Sequence, residues 1–327
     1  MANRRLKNLK NRIYSYCFGV IVLLGLVLCL NVFAQNSEEL KIAHVSDVHF
    51  SKELDNTPFK LRKQSGEIFD DVIAQINETP GISFVMITGD LVDRAKASEL
   101  DGFLEHAKNI KYPWYFAFGN HDSMLGGSLT PEKYLEKVKK VNSDIKTDDT
   151  YYSFSPKKGF KVIVIDGVIR DRLTAHGYLP EEQIKWLDKE LSFAQNQNQT
   201  AIICTHIPIL QPIADEHHLM ENGQEVIKVL SKYKNPIIVL QGHYHVSKIK
   251  QMNNILFIST PALVSYPNAF REIIIKNNHD KTTLDIKTKN IRLENLRAHA
   301  KLFVISLPLV EGEEADRNGV YTLTKIK

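Results

Sequence analysis

From residue 40 onward the chain repeats one constraint: a short run of branched and aromatic residues, then a longer amphipathic stretch, then another run. The runs are LKIAHVS (40–46), ISFVMIT (82–88), WYFAF (114–118), KVIVID (161–166), TAIICT (200–205), PIIVLQ (236–241), ILFIST (255–260), REIIIK (271–276) and TTLDIK (282–287). Each is five to seven residues long, too short for a helix and right for a strand buried on both faces. Helices are expected over 58–78, 96–109, 131–142, 180–195 and 223–233. Thr130 is placed to cap the third and Pro131 to start it. PEEQIKWLDKELSFAQ carries Ile184, Leu187 and Leu191 at helical spacing, with acids in its first turn. Strands alternating with helices demand an α/β layered fold with a parallel or mixed sheet. The last third turns to consecutive strands, so its sheet is expected to be antiparallel or mixed. Residues 291–327 fit either a helix and strand capping the domain or a loosely attached tail.

The first 34 residues obey different rules. Arg4, Arg5, Lys7, Lys10 and Arg12 precede an almost wholly apolar stretch, Cys17 to Ala34, and no acid occurs among them. This is the pattern of a secretory signal cleaved before Gln35, with an uncleaved N-terminal membrane anchor as its competitor. Lipid attachment at Cys29 is disfavoured by Leu28, where a small residue is needed. Signal and anchor both place the rest of the chain outside the cytoplasm: periplasmic, secreted or held on the outer side of a membrane. The segment also accounts for the basic balance. The whole chain has 42 basic and 38 acidic residues; without these 34 it has 37 and 38. The basic charge is therefore no argument for nucleic-acid binding. Of three cysteines only Cys204 lies beyond the segment, so no disulfide is expected within the domain.

Chemistry concentrates where five of the apolar runs stop. Asp47-Val48-His49 follows the first, Gly89-Asp90-Leu91-Val92-Asp93 the second and Gly119-Asn120-His121-Asp122 the third. His206 follows TAIICT, and Gly242-His243-Tyr244-His245 follows PIIVLQ. In open α/β sheets, sites form outside the carboxyl ends of the strands. Asp, His and Asn without thiolate suit Mn, Fe, Zn, Co or Ni. If the backbone of 243–245 is extended, His243 and His245 share a face and Tyr244 points away into packing. That pair alone does not say whether it serves one ion or two. His44 reads as a core residue, Cys204 as an inert buried thiol, and His217 and His218 as either mouth-lining or solvated.

The five motifs in this order resemble the calcineurin-like metallophosphoesterase superfamily, whose pattern is D-x-H, GD-x-x-D, GNH-D/E, a lone His and G-H-x-H. The likeness extends over roughly residues 40–275. It implies a four-layer α-β-β-α sandwich and two divalent metal ions, with a hydroxide bridging them as the nucleophile that cleaves phosphomonoesters or phosphodiesters. By resemblance Asp47, His49 and His245 hold one ion, Asn120, His206 and His243 the other, and Asp90 bridges. It also implies that His121 serves as general acid or phosphate contact, with Asp122 orienting it, and that Asp93 hydrogen-bonds a ligand histidine. The region around His206 resembles the cyclic-nucleotide phosphodiesterase branch in outline, which gives an alternative specificity. A non-catalytic scaffold on the same fold is the reading from another class, and ligand loss would be its mark; here every ligand position is intact. The implied partner is a small phosphorylated substrate, and no feature specifies an oligomeric state.

Overall fold

The computed structural model describes residues 38–124, 126–278 and 280–326. The signal or anchor reading of residues 1–34 lies outside them. Among the described residues no helix is long and apolar enough to cross a membrane.

Twelve strands are seen among the described residues: β1 (Glu38–Val45), β2 (Phe84–Thr88), β3 (Trp114–Ala117), β4 (Tyr152–Phe154), β5 (Phe160–Val164), β6 (Thr200–Cys204), β7 (Ile237–Gln241), β8 (Lys248–Met252), β9 (Ile255–Ser259), β10 (Ala269–Asn278), β11 (Lys281–Asn290) and β12 (Asn318–Thr324). They form two six-stranded sheets, ordered β12-β11-β10-β1-β2-β3 and β4-β5-β6-β7-β9-β8. β1, β2 and β3 run parallel, as do β5, β6, β7 and β9. β10, β11 and β12 make an antiparallel meander.

Two-residue periodicity sorts the side chains into layers. Leu40 and Ile42 of β1, Phe84 and Met86 of β2, and Val162 and Val164 of β5 meet between the sheets. Ala43, Val45, Val85 and Ile87 face outward, against helices α1 (Ser65–Glu78), α2 (Ala97–Ala107) and α3 (Pro131–Val141). Ile163, Ile203 and Val239 face α4 (Glu181–Asn196) and α5 (Gly223–Leu230) on the other side. The result is a four-layer α-β-β-α sandwich. Because both faces of the central strands are buried, their sequences are continuously apolar rather than alternating. Thr130 Oγ1 accepts from Lys133 N at 3.4 Å, capping α3 behind Pro131 as its sequence predicts.

One expected helix is shorter than its sequence suggests, and the shortening has a use. Residues 58–61 are irregular and α1 begins only at Ser65, after a single 3-10 turn. Leu61 N donates to Val264 O at 2.8 Å, pinning this stretch to the loop after β9 instead of letting it coil. Lys60 and Arg62 thereby face the strand ends.

Residues 291–326 belong to the sandwich. Helices α6 (Glu294–Lys301), α7 (Leu307–Glu311) and α8 (Glu314–Arg317) lead into β12, whose Leu323 is buried between the sheets. The clasp is Arg271, fully buried on β10. Its guanidinium donates to Asp316 O (2.7 Å), Ser247 Oγ (2.7 Å), Ser259 O (3.0 Å) and Thr288 Oγ1 (3.3 Å). Burial lowers its pKa to about 10, so the charge survives at neutral pH. Arg271→Met is expected to destabilise the protein by about 3 kcal/mol or more, because four acceptors, three of them buried, lose their donor. Urea unfolding of the two proteins measures this, and an unchanged midpoint would contradict it.

Candidate metal centre

The five motifs occupy the loops after β1, β2, β3, β6 and β7, all at the carboxyl ends of parallel strands. Their backbones are unusual. Asp47 (φ 55°), His49 (43°), Asp90 (51°), His243 (72°) and His245 (56°) all sit in the left-handed region, which residues with a Cβ avoid. Such conformations cost free energy and persist where their surroundings fix them. The surroundings here are other loops: Asp47 N donates to Gly89 O at 3.1 Å and His49 N to Asp90 O at 2.8 Å. Two glycines allow the close approach. A Cβ on Gly119 would strike Asp90, and one on Gly242 would strike the Ser46 hydroxyl.

The GHYH stretch is therefore not extended: β7 ends at Gln241 and both histidines turn in left-handed conformations. They diverge. His245 Nε2 lies 3.2 Å from Asp47 Oδ1 and 3.3 Å from His49 Nε2. His243 Nδ1 lies 3.0 Å from His206 Nε2, which is 3.2 Å from Asn120 Oδ1. Tyr244 is not turned away into packing, as extended backbone would require. It lines the cleft, its ring edge-on to those of His218 and His243. Two groups of donors result, and Asp90 joins them: its Oδ2 stands 3.4 Å from His49 Nε2 and 3.4 Å from His206 Nε2.

Each ring has its outward nitrogen occupied, which assigns the proton. His206 Nδ1–H donates to Thr88 O at 2.8 Å, and His243 Nε2–H to Ala175 O at 2.8 Å. His49 Nδ1 lies 3.1 Å from the Asp93 carboxylate, whose charge favours a proton on that nitrogen. Ser265 Oγ spends its proton on Phe59 O (2.6 Å) and so accepts from His245 Nδ1–H at 3.1 Å. The inward nitrogen of each is thus the one left to offer a lone pair to a cation, the arrangement that orients histidine ligands. Lone pairs that converge at about 3 Å repel unless a cation lies among them. The Asp47 Oδ1 atom, buried and without a hydrogen bond, poses the same demand. The donor set fits two divalent transition ions.

Electrostatics agree. Burial alone would raise the Asp47 carboxyl, but His245 and His206 outweigh it and hold the group below the usual carboxylate range. Asp90 is likewise held well below, by His206, His121 and His49 against burial. Burial would lower His206, yet Asp90 and Asp47 push it up to about 9, so without a metal ion a proton on Nε2 takes the place a cation would fill. His49 falls to about 3, from burial first and Lys60 second. Two anionic carboxylates thus draw positive charge into a buried site.

His121 and Asp122 part company. His121 N donates to Asp90 Oδ1 at 2.9 Å, and its Nδ1–H donates to Asp93 O at 2.5 Å, leaving Nε2 free at the cleft. Asp122 does not meet that ring. It is fully buried, and its carboxylate accepts from Gly119 N (2.8 Å), Val92 N (3.1 Å) and the Tyr134 hydroxyl (3.0 Å). It holds the loop shut from beneath, because the tight GNHD turn points its side chain back into the core. Burial, then Asp90, raises its pKa to about 7.

Sequence reasoning missed Lys60, whose Nζ is 3.1 Å from His49 Nε2, and Arg62, which donates to Asp93 Oδ2 at 3.3 Å. No motif marks them; only the break before α1 brings them in. His218 lines the cleft and His217 is outside it, so the two neighbours divide. His44 is a core residue, bonded to Thr88 Oγ1 and Thr260 Oγ1 at 2.8 Å each, and Cys204 is a buried free thiol.

A family model described as calcineurin-like phosphoesterase matches residues 40–247. The chain is 24% identical over 249 residues to a manganese-dependent ADP-ribose/CDP-alcohol diphosphatase of Arabidopsis thaliana, covering 62% of this chain and 78% of that one. It is 27% identical over 239 residues to a probable cyclic nucleotide phosphodiesterase of Coxiella burnetii, covering 72% and 88%. In structure it is similar to a dimetal phosphatase from Danio rerio, with a TM-score of 0.65 at 15% identity, covering 88% of this chain and 99% of that one.

Proposed function

Because the chain belongs to the calcineurin-like phosphoesterase family, we propose a division of labour among its own residues and a class of substrate. The protein is a metal-dependent phosphoesterase that uses two divalent ions. Asp47, His49 and His245 hold one, Asn120, His206 and His243 the other, and Asp90 is shared. The observation that carries this reading is the single Asp90 oxygen, 3.4 Å from an inward nitrogen of each group. When bound, the ions supply Lewis acidity and make a water acidic enough to attack phosphorus.

The protein does the rest. Asp47 and Asp90 contribute two negative charges and Asn120 none, so a loaded site stays positive and attracts phosphate. Lys60 adds an ammonium at the rim of the cleft. His121, its ring fixed through Nδ1 by the Asp93 carbonyl, presents Nε2 to protonate the departing oxygen. Asp93 anchors both rings, through its carbonyl for His121 and its carboxylate for His49. The cleft, of about 250 Å³, suits a small phosphorylated group rather than a polymer.

The substrate is a small phosphodiester or diphosphate. The printed names of the relatives support this class: ADP-ribose/CDP-alcohol diphosphatase, cyclic nucleotide phosphodiesterase, and a glycerophosphodiester phosphodiesterase of Enterobacter lignolyticus. A cyclic nucleotide is the second reading, favoured by Tyr244 and His218, which offer aromatic faces at the mouth. The basic and apolar composition of residues 1–34 supports export of the domain, with the segment as signal or anchor.

Metal-stripped protein reloaded with Mn²⁺ is the test, on 4-nitrophenyl phosphate, bis(4-nitrophenyl) phosphate, ADP-ribose and 3′,5′-cyclic AMP. Metal-stimulated turnover is expected, with the diester or diphosphates preferred over the monoester by about tenfold or more, some 1.4 kcal/mol in the barrier. Monoester preference would overturn the substrate class, and the absence of turnover on any member would overturn the assignment.

A further inference from the structure

Beside the catalytic cleft lies a second cavity of about 370 Å³, and its walls are of the opposite character. Phe59, Tyr266, Phe303, Val304, Leu309 and Val310 supply most of the surface. Two residues, Tyr244 and His245, line both cavities, so they form the threshold between them. One edge of His245 faces Asp47 while its Nδ1 edge binds Ser265, another residue of the apolar wall.

The cavity is held by specific bonds. Ser247 N donates to Val310 O at 2.8 Å, Arg297 Nε to Pro267 O at 3.1 Å, and the Tyr266 hydroxyl to the Glu311 carboxylate. Its side chains are nonetheless left open to water: Phe59 is 63% exposed, Leu309 48% and Phe303 41%. Ile305, also in its lining, is exposed by 94%. A contiguous apolar patch of this kind on a protein surface marks a binding site. Its continuity with the cleft says what is bound there: something attached to the phosphate.

We propose that this cavity receives the hydrocarbon portion of one ester substituent, so that the substrate is a lipid-like phosphodiester. The proposal rests on the phosphoesterase reading of the metal centre. Hydrolysis of such a diester joins the oxygen of water to phosphorus and breaks one P–O ester bond. The departing oxygen leaves with the bonding pair, and one proton of the water goes to it or to solvent. The chain-bearing ester stays in the apolar cavity while phosphorus reacts in the polar one.

A homologous series of 4-nitrophenyl alkyl phosphates, from methyl to hexyl and below their aggregation limits, tests this with the Mn²⁺-loaded full chain. Nitrophenolate leaves, and the alkyl phosphate is the other product. With full transfer of each methylene out of water, kcat/KM should rise by about two- to fourfold per methylene, chiefly through KM. Phe303→Asp and Leu309→Asp, both at exposed positions, should each flatten the dependence; circular dichroism confirms that they fold. A flat series in the wild type with the methyl ester turned over would overturn the cavity's role alone. No turnover of any member would overturn the metal-centre reading beneath it as well. A flat series together with a dimer that Phe303→Asp dissociates in sedimentation would also overturn the proposal, assigning the patch to a second copy of the chain.

Discussion

Asp90→Asn is expected to empty the site of metal and to lower turnover by more than about a hundredfold. Outer partners of metal ligands already cost about 10–100-fold when removed, and Asp90 is placed to serve both ions at once. Its Oδ2 stands 3.4 Å from His49 and from His206, and its Oδ1 accepts from His121 N at 2.9 Å. An asparagine of the same shape keeps one acceptor but removes the charge that offsets two dications and substitutes an amide donor among lone pairs. Metal analysis of the purified variant should find fewer than one ion per chain where the wild type holds two. Circular dichroism separates this result from misfolding. A variant retaining both ions and full activity would show that Asp90 does not bridge.

His121→Ala should leave the metals in place and depress kcat by roughly 10²- to 10⁴-fold on substrates with poor leaving groups. The ring belongs to neither of the two donor groups around Asp47 and Asp90, although it clusters with His49 and Asp93 and packs edge-on against His49 at 4.7 Å. In the role proposed above it delivers a proton from Nε2. The effect should therefore shrink on nitrophenyl esters, whose leaving group departs without protonation. An equal loss on both kinds of substrate would reassign His121 from proton donor to phosphate contact.

The layered architecture was legible because the central strands are buried on both faces and therefore spell uninterrupted apolar runs. Two strands escaped, and a third, β12, was only one of two alternatives for its segment. YSF of β4, KIKQM of β8 and NGVYTLT of β12 each lie at or near a sheet edge, with exposed or half-buried positions that do not force an apolar spelling. The site was legible in residue type and order, since each chemical residue follows a recognisable run. Its geometry was not. Left-handed backbone at Asp47, Asp90 and both histidines of GHYH is enforced by neighbouring loops far away in sequence, so local pattern misassigns 243–245 as extended. For the same reason Asp122, adjacent to His121, belongs to the support beneath the loop, whereas Lys60 and Ser265, remote in sequence, belong at the site.

The clasp around Arg271 bears on how the chain comes into being. Asp316 accepts from Arg271 through its carbonyl and from Ile249 N (2.8 Å) and Lys248 Nζ (2.7 Å) through its carboxylate. It thereby ties β8, in the second sheet, to β10, in the first. Both the knot and the strand that covers β11 lie after residue 312. A chain still under synthesis therefore possesses all seven residues of the candidate metal centre long before it can close the sandwich that holds them. Until that stretch has been made, Arg271 lacks its Asp316 acceptor and β11 presents a bare edge, the kind of surface on which nascent chains pair wrongly. The order of translation makes the active-site loops early and their frame late.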